Sequence, residues 1–320
     1  MVNPTTTSIL PPAVPAQISM KLLARPMPDL IYTTMGEPIT MDQNAGDTLI
    51  RRRYNNWQTA PVPLGNGIVN PPSQAFTAID IPATISWYGT YGIVQEQVVL
   101  LNEDPVMNSF VSIAGQSLRE TEDQLAKSMM EGGAPTINAT GGGGGDSPTP
   151  ISRADLSRVH RLLRTANAQY IMDLIEGENK FGTAPVRNCY FGLAHTNLIP
   201  DLDNVTDSIN IAAYPSQINL LQAEYCSIGN FRFLLSSRGS LIPNASANGN
   251  DVYPIYFPGQ ESYEMVDLDG YSAQMIYAPP EIASPQLRLY STLGWKAAMV
   301  FNITNTSWIV GLNVTLGVAL

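Results

Sequence analysis

The stretch from Gly46 to Gly133 constrains the fold most. It opens with a polar, arginine-led pair of strands that carries little apolar material of its own. It continues into the clearest helix of the chain. Asp104 is placed to cap that helix and Pro105 suits its first position. Val106, Phe110, Ile113, Ala114, Leu118, Thr121, Leu125 and Met129 recur at steps of three or four and predict one apolar stripe. Gly132-Gly133 ends the pattern. At about 1.5 Å per residue, roughly 27 residues reach about 40 Å. That length suits a spine, and an arm unable to bury its own surface needs a neighbour to lie on.

The arm reads as follows. Gly46-Asp47 is a turn, Thr48-Leu49-Ile50 begins a strand, and Gly65-Asn66-Gly67 marks the tip. The return runs through Phe76, Ile79, Ile81, Ile85 and Trp87 to Tyr91, with odd positions predicted to be half-buried. Arg51-Arg52-Arg53, with Tyr54 and Trp57, is the one basic cluster. Arginine beside aromatics can stack on bases. Three charges on a chain of net charge -10 favour a protein partner instead. Glu120, Glu122 and Asp123 on the spine are candidate partners, because a guanidinium meets a carboxylate bidentately. Arg119–Asp123 and Asp123–Lys127 are spaced as surface pairs along the helix.

Elsewhere, residues 1–45 are Pro-, Thr- and Met-rich and read as an extended arm that orders on a partner. The five-glycine run Gly141–Gly145 is not a phosphate loop, since no Lys-Ser/Thr follows it. Ser152 and Asp155 predict a capped helix with Leu156, Val159, Leu162 and Leu163 inward, ending near Thr165. Tyr170–Ile175 and Val186–Ala194 read as strands, and Pro215–Leu221 as a short helix. Ile228–Leu235 is a turn entering a strand, residues 237–250 are loop, and Val252–Phe257 is a strand. From Gln286 to Leu320 the pattern predicts an antiparallel pair turning at Asn302–Asn305.

Composition excludes several function classes. Seventeen Lys and Arg against 27 Asp and Glu argue against a general nucleic-acid binder. No basic region precedes an apolar run at the N-terminus, and no apolar stretch predicts a membrane span. The six Asn-X-Ser/Thr sequons, with no secretory signal, read as chance. Cys189 and Cys226 form no CxxC, and Cys189 sits in an apolar run that predicts an inert thiol. His160 and His195 accompany no nucleophile motif. The acidic groups Asp201, Asp203, Asp207 and Glu264, Asp267, Asp269 lack the order of an EF-hand loop. The expectation is no catalytic residue, no cofactor and no metal.

In order and spacing the chain resembles the major capsid proteins of tailed bacteriophages, with the α+β Hong Kong 97-type fold, and in particular the family named after coliphage N-four. The resemblance runs from about residue 46 to 310. It is carried by Arg51-Arg52-Arg53-Tyr54, Gly115 to Asp123, Gly182 to Val186, Ala194-His195 through Asp201-Leu202, Glu224 to Phe233, Asp251 to Pro254 and Gly294-Trp295-Lys296.

The resemblance implies an N-arm (1–45), an E-loop hairpin with its return strand (46–100) and a peripheral domain with the spine helix (101–149). An axial domain (150–274) and peripheral C-terminal strands (275–320) complete it. It implies a non-enzymatic subunit that forms pentamers and hexamers of an icosahedral shell around double-stranded DNA. The hairpin would lie across a neighbour, making Arg51, Arg52, Arg53, Tyr54, Trp57, Glu120, Glu122 and Asp123 the expected interface. Further expected partners are a separate scaffolding protein, a portal and a decoration protein, with packaged DNA enclosed without sequence-specific binding. Assembly would occur in the host cytoplasm and the product would be a virion. Residues 46–100 contain no lysine, so covalent cross-linking through a hairpin lysine is not expected. The alternatives are another phage or surface assembly protein, such as a tail or surface-layer component, and a hydrolase using His195 with Asp201 or Asp203.

Overall fold

The computed structural model describes residues 27–57, 73–101, 106–141, 145–171, 189–214, 221–284 and 286–317. Strand β1 (Glu37–Met41) precedes a hairpin of β2 (Thr48–Tyr54) and β3 (Ala78–Thr84). The chain then runs through β4 (Ser86–Gln95), α1 (Glu96–Leu101) and α2 (Val106–Gly133). Next come β5 (Thr136–Asn138), α3 (Arg153–Thr165), β6 (Tyr190–His195), α4 (Ile199–Asn204) and β7 (Ser208–Asn210). β8 (Glu224–Ile228), β9 (Phe231–Ser236), β10 (Tyr253–Pro258) and β11 (Tyr263–Leu268) follow. The chain closes with β12 (Gln274–Ala278), α5 (Pro280–Ala283), β13 (Tyr290–Ile303) and β14 (Ile309–Val314).

A seven-stranded sheet, in the order β5-β14-β10-β6-β9-β8-β7, holds most of the core. β6, β9 and β10 are buried along nearly their whole length and are predominantly apolar, Arg232 of β9 excepted, because both faces of the sheet are covered. Neighbouring residues alternate between two cores: Tyr190, Phe231 and Phe257 point to one, and Phe191, Leu234 and Tyr256 to the other. Helix α3 covers the first face through Leu156, Val159 and Leu163. Ser152 caps it, accepting from Asp155 N as predicted, but Leu162 is exposed on the far side. The C-terminal half of α2 covers the second face through Ala126 and Met130, together with Ile31 and Tyr32.

The second sheet is built on β13. β11 pairs with its end from Met299 to Ile303, β12 with Thr292 to Lys296, and β4 runs antiparallel along Tyr290 to Met299. β1 adds in parallel to β11. The predicted C-terminal pair is therefore corrected. β13 and β14 do not pair with each other, because the turn between them carries the chain from one sheet into the other, where β14 pairs with β10 and β5.

Other expectations also change. The described part of the arm is not extended on a neighbour. Ile31, Tyr32 and Met35 are buried in the chain's own core, and β1 is a sheet strand. Trp87 is exposed, because the inward phase of Ile81, Ala83 and Ile85 is lost at the junction of β3 and β4. α1 lies where strand was predicted. α2 buries Leu118, Asp123, Ala126 and Met130, while Ile113 is exposed. The proposed cap at Asp104-Pro105, the hairpin tip, residues 172–175 and 215–220 lie outside the described residues.

Candidate functional site

The β2–β3 hairpin is a two-stranded ribbon of its own, in register from Thr48↔Thr84 to Tyr54↔Ala78. Gly46, at φ 100°, makes the turn that admits it, a conformation costly for any residue with a Cβ. Its root is fixed. Ala83 is buried with Met41 and Val266, Leu49 and Ile85 pack beside them, and Asn302 Nδ2 donates to Pro82 O at 3.2 Å. Toward its outer end the described aromatic and apolar side chains are exposed. Tyr54 stacks on Phe76 with ring centroids 4.8 Å apart, yet both rings stay exposed, as do Ile50, Trp57 and Ile79.

The three arginines differ in their engagement. Arg51 Nη1 donates to Glu37 Oε2 at 2.8 Å and to Glu264 Oε2 at 3.2 Å. Burial works against its charge, but the two carboxylates outweigh that and hold its pKa above the usual arginine value. Arg52 grips Asp80, its register partner, through Nε and Nη2 at 2.6 and 2.9 Å. That hydrogen bonding holds the Asp80 carboxyl below its ordinary range. Arg53 has no ion-pair partner among the described residues. Together the arginines line a cleft of about 300 Å³ with Glu37, Ile81, Glu261, Asn305 and Trp308.

The spine carboxylates also separate. Glu120 meets Arg238 at 2.8 Å. Glu122 is partly buried, and desolvation raises its pKa with Asp267 adding to the effect. Asp123 is 3 % exposed and accepts the backbone N–H groups of Tyr32 and Thr33. Its predicted surface pairs with Arg119 and Lys127 are therefore corrected: packing of the arm turns this carboxylate inward. Within the chain, the described residues show no ion pair between the arginine cluster and the spine carboxylates.

The residues considered for catalysis are engaged structurally. His160 Nε2 lies 3.0 Å from Tyr170 Oη, and burial, then Arg164, lowers its pKa. His195 Nδ1 accepts Asn197 N, closing a turn at the end of β6. Burial pushes the Cys189 thiol up to about 11 and Cys226 to about 12. Asp201 accepts Gly317 N, and Asp203 accepts Tyr225 Oη. Among the described residues no cluster of His, Cys, Asp and Glu could hold a metal, and no helix is long and apolar enough to cross a membrane.

Sequence reasoning missed the buried charge pair Glu224–Arg232 inside the seven-stranded sheet. Arg232 is 1 % exposed, and its Nε donates to Glu224 Oε1 at 2.7 Å while Nη2 bonds Oε2. Tyr214 Oη donates to the same carboxylate, and Arg232 lies over the Phe191 ring. A lone arginine in the apolar strand Phe-Arg-Phe-Leu-Leu was the available signal.

No protein-family profile matches the chain, and no curated sequence relative is found. Solved structures match over nearly its whole length. The capsid of Ralstonia phage GP4 shares 9% identity over 99% of this chain and 100% of that one, with a TM-score of 0.71. The Cyanophage Pam1 capsid asymmetric unit shares 12% over 98% and 99%, at 0.66. The acid-stable capsid of Helicobacter pylori bacteriophage KHP30 shares 8% over 98% and 99%, also at 0.66. The fold is thus the α+β Hong Kong 97-type fold of phage capsid subunits.

Proposed function

We propose that this chain is a structural, non-enzymatic major capsid protein of a tailed phage. On this reading it assembles into pentamers and hexamers of an icosahedral shell around double-stranded DNA, and it belongs to the N-four-like branch. The observation that carries the proposal is the two-way, near-complete structural match to phage capsid subunits. The hairpin supports it physically: its outer half displays Tyr54, Trp57 and Phe76 with no cover from its own subunit among the described residues. Copies of the chain would supply that cover, so that assembly stabilises the arm by mass action and many weak contacts add through multivalency.

The division into N-arm (1–45), E-loop (46–100), peripheral domain (101–149 and 275–320) and axial domain (150–274) belongs to the same proposal. Within the proposed N-arm, Ile31, Tyr32 and Met35 pack into the chain's own core. Arg52, Arg53, Tyr54 and Trp57 would meet Glu120 and Glu122 of a neighbour's spine. Arg51 and Asp123, engaged inside the chain, would act by shaping the two surfaces. A scaffolding protein, a portal and decoration proteins would be further partners. The excess of acidic side chains would keep enclosed DNA from adhering to the inner wall.

The test is negative-stain electron microscopy of the purified chain, alone and co-expressed with its scaffolding protein. Closed shells, or isolated pentamers and hexamers, are expected. A monodisperse monomer under both conditions would overturn the proposal. His195→Ala should leave assembly intact, whereas a hydrolase reading requires it to abolish an activity.

A further inference from the structure

Glu37 and Glu264 are register partners in the parallel pair β1–β11, so two carboxylates stand side by side on one sheet. Like charges directly opposite one another destabilise a strand pair. One cation answers both, and it comes from the hairpin: Arg51 Nη1 bonds an oxygen of each, at 2.8 and 3.2 Å. The Glu264 side chain is fully buried, and its Oε1 has no hydrogen-bond partner among the described residues. Removing the guanidinium would therefore leave a buried carboxylate beside a second one, with no other ion-pair partner for either among the described residues. The root of the ribbon is tied to the body at Ala83, Leu49 and Pro82. Arg51 lies three residues further out than Thr48, where the two strands begin to pair, and it lines the cleft together with Arg52 and Arg53.

We infer that Arg51, Glu37 and Glu264 form a charge latch that sets the pose of the hairpin on its own subunit. The socket is two carboxylates that repel in the absence of the arm, and the arm carries the single cation that makes the socket tolerable. The latch therefore fixes the direction in which Tyr54, Trp57 and Phe76 are presented before any other chain is met. This does not rest on the assembly reading, because the latch is closed within one chain.

The experiment is a distance measurement by double electron–electron resonance on the full-length, unassembled chain. Spin labels go on cysteines at two exposed positions, Ala78→Cys at the outer end of the ribbon and Ser307→Cys on the body. The native Cys189 and Cys226 are buried and stay unlabelled. The parent should give one narrow distance peak. Arg51→Gln should broaden or displace it, and Glu37→Gln with Glu264→Gln should do the same by emptying the socket. Circular dichroism checks folding, and either variant that folds decides the matter. A peak that overlays the parent's in a folded variant overturns the latch. So does a broad distribution in the parent itself.

Discussion

Asp123 Oδ1 accepts the backbone N–H of Tyr32 at 2.7 Å, across 91 residues of chain. The same residue 32 is held at two further points: its carbonyl accepts Tyr263 Oη at 2.6 Å, and its hydroxyl accepts Ser240 N at 3.0 Å. Spine, arm, β11 and the loop after β9 are thus joined at one tyrosine. The spine carboxylate that sequence spacing assigned to the surface is a structural acceptor for a buried segment.

Asp123→Ala should therefore destabilise the subunit. It leaves the Tyr32 and Thr33 N–H groups without an acceptor, at about 1–3 kcal/mol for each one that stays buried. Asp123→Asn retains one acceptor oxygen and should cost less. Urea unfolding of the unassembled chain measures both. An alanine variant as stable as the parent would show that water or another group satisfies these amides.

Breaking the Glu224–Arg232 pair should be among the most damaging single changes. Arg232→Met leaves a buried carboxylate unpaired, at about 3–5 kcal/mol. Replacing both, as Glu224→Leu with Arg232→Met, should recover most of the loss, because a matched apolar pair avoids the desolvation cost of two ions. A double variant no more stable than the single one would count against this account.

Burial raises the carboxyl pKa values of Glu122, Asp123, Glu264 and Asp267. A folded-state value above the unfolded one means that the folded chain holds the proton more tightly. The penalty is absent below the unfolded value, about 4.3 for glutamate, and complete above the raised folded value. Glu122→Gln should thus stabilise the chain at neutral pH and converge with the parent as pH falls through that window. Unfolding free energies at several pH values test this, and a gap that widens toward acid would contradict the sign.

Neutralising Arg52 and Arg53 with glutamine should block or slow shell formation while leaving the melting temperature of the unassembled chain within a few degrees. The Arg52–Asp80 pair is exposed, so its loss costs little within the subunit. Trp57→Ala should likewise act on assembly alone. Sedimentation of assembled against unassembled chain provides the readout, and unchanged shell yield would remove the hairpin from the proposed interface.

Neither buried thiol should react with Ellman's reagent in the native chain, and both should react in urea. Burial holds each thiol protonated well above neutral pH.

The amino-acid sequence by itself determined the local elements. The 3.6-residue periodicity fixed the spine, and Ser152 with Asp155 fixed the start of α3. Apolar runs fixed β6, β9 and β10, because these patterns are written between residues a few positions apart. The arginine cluster and its strand were legible for the same reason. Only the tertiary structure decided which surfaces stayed free. Asp123 went inward because the arm from residue 31 packs over it, and Arg51 was claimed by Glu37 and by Glu264, 213 positions away. β13 and β14 entered different sheets because the turn between them carries the chain across, so that β13 pairs with β4, β11 and β12 while β14 pairs with β10 and β5. Such choices rest on competition among distant segments for burial and for charge, which no spacing along the chain records.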